Sequence, residues 1–140
     1  MKKIKIKFTI PIIMLCFVIC SCKNDKKSDL FIDYLQSNYN IELDDKSTTF
    51  LIYNENSCYS CNKEFIKLLD TINFCNRNIY LIYVAHYPEE ILVKKWEKKY
   101  SDKFFIDRSD FLRQLNINLN GSGTIILENK KIVKVETFMP

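Results

Sequence analysis

Two cysteines separated by two residues, in the segment Cys58-Tyr59-Ser60-Cys61, are the side chains of this sequence best suited to chemistry. On a helix this spacing places the two sulfur atoms about one turn apart, close enough to form a disulfide with little backbone movement. A cysteine at a helix start meets unpaired N–H groups and the positive end of the helix dipole, which stabilise a thiolate. We therefore expect Cys58 to be the nucleophile and Cys61 to resolve the mixed disulfide.

The same cysteine pair is compatible with two other kinds of site. It could be a structural disulfide, although a bond across so short a loop constrains the unfolded chain little. It could also bind copper or zinc, since soft thiolates suit Cu(I) and His86, the only histidine, could add a ligand. One histidine and two thiols lack the fourth ligand of a closed zinc site. We therefore predict a surface histidine and no bound metal or cofactor, with metal handling as the alternative.

The elements around the pair follow from the pattern of apolar residues. Residues 48–53 are β-branched and aromatic, which predicts a buried strand that ends at the polar residues 54–57. After the first cysteine, apolar residues recur at the spacing of one helical face, which predicts a helix from residue 58 or 59 to residue 73. Those residues are Phe65, Leu68, Leu69 and Ile72. The pair is thus expected at a junction between a strand and a helix.

The rest of the chain alternates between helix and strand patterns. The predicted elements are a first helix capped by Ser28 or Asp29, a strand at 79–85, a helix opened by Pro88, a strand at 104–107, a short helix at 110–116, and strands at 124–127 and 132–138 joined by a turn at 129–130. Trp96 and Tyr100 lie at core spacing. This order predicts an α/β fold with a mixed central sheet flanked by helices. No terminal helix is predicted before Pro140.

The first residues have the pattern of an export signal. Four lysines precede an uncharged, mostly apolar run over residues 8–20, which is shorter than a membrane span and suits a signal peptide. The end of this run, Val18-Ile19-Cys20-Ser21-Cys22, resembles a bacterial lipobox, in which Cys22 would be acylated with chains such as palmitate. We predict a lipoprotein signal peptide at 1–21, a lipidated cysteine and tether at 22–28, and one domain at 29–140.

Charge and cysteine content agree with an exported domain. The four leader lysines belong to the 21 basic residues, so the mature chain has 17 basic and 17 acidic side chains and no electrostatic footprint for nucleic acid. Three cysteines, Cys58, Cys61 and Cys75, remain in the folded part, and we expect Cys75 to be buried as a small apolar residue. The expected location is the bacterial cell envelope, lipid-anchored on the periplasmic side, with the outer membrane favoured over the inner.

Residues 50–61, together with 104–107 and 121–126, resemble the TlpA-like or redoxin branch of the thioredoxin superfamily. The similarity covers about residues 48–138. This resemblance implies a thioredoxin-like fold and membrane-tethered dithiol chemistry outside the cytoplasm. It also implies a Cys58–Cys61 redox disulfide, with protein thiols or disulfides as substrates and a redox partner.

Several positions depart from that family. Gly123 stands where the family usually has a cis-proline that faces the cysteines, so we expect an open approach to the pair at this point. Ser122, the preceding residue, would offer its backbone to the substrate. Ile52 stands in the place of a buried aspartate, which makes Glu55 the nearest candidate proton acceptor by sequence.

Overall fold

The fold is built on a single five-stranded sheet. The computed structural model of the chain describes residues 25–44, 46–74 and 78–138. The strands are β1 (Thr48–Asn54), β2 (Ile79–Val84), β3 (Phe104–Asp107), β4 (Gly123–Glu128) and β5 (Lys131–Thr137), arranged in the order β3-β2-β1-β4-β5. The three strands β1, β2 and β3 are parallel, whereas β4 is antiparallel to both β1 and β5. The sheet is therefore mixed, as predicted.

Helices cover both faces of this sheet. They are α1 (residues 25–39), α2 (Tyr59–Thr71), α3 (Glu90–Tyr100) and the short α4 (Phe111–Gln114). A 3₁₀ turn at Ser101–Lys103 joins α3 to β3. The predicted fold class is confirmed, since this is a thioredoxin-like α/β arrangement with a mixed central sheet between helices. Among the residues that the structure describes, no helix combines the length and apolar character needed to cross a membrane.

Two apolar clusters, one on each side of the sheet, form the core. Alternate side chains of β1 enter opposite clusters, with Phe50 and Ile52 on the side of α1 and Leu51 and Tyr53 on the side of α2 and α3. This alternation is the natural consequence of the two-residue period of a strand. Trp96 is fully buried in the second cluster and packs edge-on against Tyr53 at a centroid distance of 5.0 Å. Its predicted place in the core is confirmed, as is that of Tyr100.

The first helix starts earlier than the sequence pattern predicts. Residues 25–28 are already helical, so a start at Ser28 or Asp29 is wrong. Asp25 forms an ion pair with Lys131 at 2.9 Å, and the buried Ser28 hydroxyl accepts a hydrogen bond from the Ile132 N–H at 3.0 Å. These contacts to β5 tie residues 25–28 to the domain. The predicted signal peptide, Cys22 and Cys75 lie outside the described residues.

Other element boundaries differ by a few residues for local reasons. The helix predicted to open at Pro88 begins at Glu90, because the Glu89 N–H donates to the Tyr83 hydroxyl at 3.0 Å and holds the preceding loop against β2. The predicted turn at 129–130 is present, and both Asn129 and Lys130 have positive φ angles, 49° and 61°. Two such residues in succession match the twist of the hairpin that joins β4 to β5.

Candidate active site

The cysteine pair lies at the N-terminus of α2, directly after the turn that follows β1. Cys58 is the N-cap residue of the helix, and Cys61 lies in its first turn. The two residues are joined by a disulfide, with their Cα atoms 5.2 Å apart. In addition, the backbone N–H of Cys61 donates to Cys58 Sγ at 3.1 Å. A side chain that caps a helix in this way is normally Ser, Thr, Asp or Asn, so here a sulfur has taken over the capping role.

The two sulfurs differ in their access to solvent. Cys58 is exposed, whereas Cys61 is half-buried, and the Tyr59 side chain between them is 84% exposed. An incoming group therefore reaches Cys58 first. The first turn of α2 contains no acidic residue, so no carboxylate there opposes a thiolate at the positive end of the helix.

A serine hydroxyl inside the motif is a second group close to the exposed sulfur. Ser60 Oγ lies 3.4 Å from Cys58 Sγ, within hydrogen-bond distance for sulfur. When Cys58 is a thiolate, this hydroxyl can donate to it alongside the Cys61 N–H. The arrangement can therefore hold negative charge on Cys58, which is what a reactive cysteine needs.

Two polar side chains close to the pair, those of Asn62 and Ser122, are hydrogen-bonded to each other. The sequence pattern did not predict this contact. Asn62, which follows Cys61, is only 7% exposed, and Ser122 is fully buried. Ser122 Oγ donates to Asn62 Oδ1 at 2.8 Å and accepts from the Asn54 N–H at 2.9 Å. Nothing in the sequence marks Asn62 as a buried site residue, because an asparagine within a helical pattern is ordinarily exposed. The sequence singled out Ser122 for its backbone rather than for its hydroxyl.

The backbone carbonyl of Ser122 already has a partner within the chain. It accepts a hydrogen bond of 2.7 Å from the Phe138 N–H, at the end of β5. This bond uses one of the two lone pairs of the carbonyl oxygen. The predicted substrate contact through the Ser122 backbone stays a prediction.

Gly123 is closely packed on the side where a side chain would project. A Cβ atom at this position would overlap the carbonyl oxygen of Glu136 and lie 2.7 Å from Leu119 Cδ1. Glycine is thus required here because the Glu136 backbone and Leu119 fill the space on that side. The open approach to the cysteines stays a prediction. The glycine next to the motif is Gly121, where a Cβ would lie 2.7 Å from Ser57 Oγ.

Glu55 lines a cavity of about 350 Å³ beside the cysteine motif. The side chains around it include Ser57, Tyr59, Lys63 and Glu89. Burial raises the pKa of the Glu55 carboxyl, and the nearby negative charge of Glu89 raises it further. Sequence reasoning missed Glu89, which is 34 positions away. It lies near Glu55 because each follows one of two neighbouring parallel strands, and the carboxyl ends of such strands share one edge of a sheet.

His86 lies on the surface, just after the end of β2. Its Nδ1 is 3.1 Å from the Arg108 carbonyl oxygen and its Nε2 is 3.1 Å from Asp110 Oδ2. The side chain is 56% exposed, which confirms the prediction of a surface histidine. Among the described residues, no group of three His, Cys, Asp or Glu side chains is arranged to hold a metal ion.

The sequence matches no family model, and no curated protein matches it either. The solved structures that are similar to it include two bacterial proteins. One is a solution structure of a candidate thioredoxin from Neisseria meningitidis, with 19% identity, a TM-score of 0.45, and coverage of 69% of this chain and 67% of that one. The other is a conserved protein of unknown function from Bacteroides fragilis, with 15% identity, a TM-score of 0.34, and coverage of 70% and 76%. This chain itself combines a thioredoxin-like α/β fold with a cysteine pair at the start of α2.

Proposed function

We propose that this protein is a thiol–disulfide oxidoreductase that acts on protein disulfides outside the cytoplasm, with Cys58 and Cys61 as its redox pair. The observation that carries the proposal is the capping bond from the Cys61 N–H to the exposed Cys58 Sγ. It supplies a donor for a thiolate on the sulfur that an external substrate would reach first.

In the reducing direction, the Cys58 thiolate attacks one sulfur of a substrate disulfide. The substrate S–S bond breaks, a mixed disulfide to Cys58 forms, and the first substrate sulfur leaves as a thiolate that takes up a proton. Cys61 then loses its proton and attacks Cys58 Sγ, which releases the second substrate sulfur. Two electrons have passed from the cysteine pair to the substrate, and the pair is left as a disulfide. A dithiol redox partner must return it to the reduced state.

Glu55 is the proposed acceptor of the Cys61 proton. Glu55 lines the same cavity as Ser57 and Tyr59, the two neighbours of Cys58 in sequence. Because burial and Glu89 raise its pKa, it holds a proton more tightly than an ordinary glutamate does. This brings its proton affinity closer to that of a thiol, which favours transfer.

The proposed location is the bacterial cell envelope. The support for it is the basic stretch, the short apolar run and the lipobox-like segment that ends at Cys22. Expression of the full chain in a bacterial host, with labelled palmitate, tests this part separately. We expect label in the membrane fraction for the parent and none for Cys22→Ser, and unlabelled parent protein in the soluble fraction would contradict it.

The chemistry is tested by incubating the purified chain with a peptide disulfide and a dithiol reductant. We expect turnover for the parent and none for Cys58→Ser. Cys61→Ser should accumulate a mixed disulfide at Cys58, visible by mass spectrometry, because the resolving thiol is missing. A parent protein that binds stoichiometric copper or zinc when reduced, and shows no turnover, would instead favour the metal-handling alternative.

A further inference from the structure

A closed ring of hydrogen bonds, built on the buried side chains of Asn62 and Ser122, adjoins the first turn of α2. The Asn54 N–H donates to Ser122 Oγ at 2.9 Å, and the Ser122 hydroxyl lies 2.8 Å from Asn62 Oδ1. Asn62 Nδ2 completes the ring by donating to the carbonyl oxygens of Asn54, at 3.1 Å, and Glu55, at 3.3 Å. The ring connects the end of β1, the first turn of α2 and the residue before β4.

The chemistry of the groups fixes the direction of every bond in this ring. A backbone N–H can only donate, so the Ser122 oxygen accepts from Asn54 and its single proton is left for Asn62. Asn62 must then present its oxygen to Ser122 and its NH₂ group to the two carbonyls. Both side chains are buried, where a broken bond leaves an unpaired polar group at a cost of about 1–3 kcal/mol. The ring therefore has one stable arrangement.

This arrangement acts on the reactive sulfur through the backbone. Asn62 follows Cys61, and its own N–H donates to the Cys58 carbonyl at 3.0 Å, the first hydrogen bond of α2. The Asn62 side chain thus ties this first turn to the turn at residues 54–57 that leads into Cys58. Any rotation of the first turn would change the direction of the Cys61 N–H.

We propose that Asn62 and Ser122 are positioning residues, which hold the first turn of α2 so that the Cys61 N–H points at Cys58 Sγ. Neither side chain is assigned a contact with substrate or with a reacting sulfur. They affect the chemistry indirectly, by setting the strength of the hydrogen bond from the Cys61 N–H to Cys58 Sγ. This inference rests on the proposed redox function, and it gives the Ser122 hydroxyl a role separate from the substrate contact predicted for its backbone.

The test measures Cys58 reactivity directly in the reduced full chain, purified in detergent. The rate of Cys58 alkylation by iodoacetamide is followed against pH, with the modified cysteine identified by mass spectrometry. Ser122→Ala and Asn62→Ala should each lower the rate at neutral pH by roughly three- to tenfold, because a weaker N–H bond stabilises the thiolate less. The pH midpoint should move upward by the matching amount. Ser122→Thr, which keeps the hydroxyl, should stay close to the parent.

Two further variants separate positioning from a general loss of stability. Leu127→Ala removes a buried apolar side chain from the far end of β4 and should destabilise the fold without changing the alkylation profile. The double variant Ser122→Ala with Asn62→Ala should react about as slowly as either single variant, since each one already opens the same ring. If an alanine variant does not fold, Asn62→Ser takes its place, because serine is too short to reach all three partners.

The proposal is overturned if the ring variants lose stability while their alkylation profile matches that of the parent. It is also overturned if Leu127→Ala shifts the profile as far as they do. Alkylation needs no substrate protein and no turnover. A parent chain that fails to reduce disulfides would therefore refute the proposed function and leave this comparison of Cys58 reactivity intact.

Discussion

The backbone N–H of Cys61 lies 3.1 Å from Cys58 Sγ. Cys58 therefore caps α2 and is also the proposed nucleophile of the protein. In the reduced protein this bond would run from an amide to a thiolate, and a charged acceptor makes such a bond stronger. The same interaction therefore stabilises the start of the helix and the reactive form of the cysteine. The two effects can be separated by substitution.

Replacing Cys58 tests the capping role. Under reducing conditions, Cys58→Ser should unfold at nearly the parent's free energy, because serine is a good N-cap, whereas Cys58→Ala should lose about 1 kcal/mol. Both variants should lack redox activity. Denaturant unfolding followed by circular dichroism measures the difference. Equal stability of the serine and alanine variants would show that the sulfur does not cap the helix.

The stability of the protein should depend on the ionisation of Glu55. Its pKa is raised in the folded state by burial and by Glu89, so between the unfolded and folded pKa values the folded state binds more protons. The free energy of unfolding therefore falls as pH rises through that interval. Glu89→Gln removes the second cause and should make this fall smaller. The measurement is denaturant unfolding from about pH 4 to 7, around the ordinary glutamate pKa.

A matched control for that experiment is Glu97→Gln, which removes an exposed carboxylate from α3, the helix that Glu89 precedes. It should leave the pH dependence as it is in the parent. If Glu97→Gln and Glu89→Gln change the slope equally, the effect belongs to net charge rather than to the proximity of Glu89 and Glu55.

The resolving step should slow when Glu55 can no longer accept a proton. In Glu55→Gln we expect the mixed disulfide at Cys58 to form at the normal rate and to persist at least tenfold longer, a modest share of what general base catalysis contributes. Single-turnover quenching, followed by mass spectrometry, gives both rates. An unchanged lifetime would remove Glu55 from the mechanism and leave solvent as the proton acceptor.

The two glycines near the site should respond differently to alanine. At Gly123 the added Cβ meets the backbone of Glu136, which cannot move without disturbing the hairpin, so we expect a loss of roughly 1–3 kcal/mol. At Gly121 it meets the Ser57 hydroxyl, which can rotate away, so a loss below about 1 kcal/mol is expected. Denaturant midpoints compare the two variants. The opposite order would contradict the packing described here.

Sequence patterns predicted the elements that are defined by local periodicity. The predicted strand at 104–107 has the bounds of the observed strand, Phe104–Asp107. The predicted strand at 48–53 is one residue shorter than β1. The start of α1 could not be predicted in the same way, because Ser28 and the residues before it are polar and are held by contacts to β5, a strand about 100 positions later. No local pattern carries that information.

The site was predicted only in part, for a similar reason. The position of Cys58 and Cys61 at a helix start follows from local pattern alone. The Asn62–Ser122 bond joins residues 60 positions apart, and it exists because β4 pairs with β1 in one particular register. The tight packing of Gly123 likewise depends on the register of β5. Such contacts follow from the assembled sheet and not from residue type.

The central claim is tested most directly by the reduction potential of the Cys58–Cys61 couple. It would be measured in the full chain with Cys75→Ser, by equilibration against glutathione buffers and quantification of free thiols. The redox proposal predicts a value within roughly −120 to −270 mV, the span of proteins that exchange disulfides. A value below about −300 mV would identify a structural disulfide and contradict the proposal.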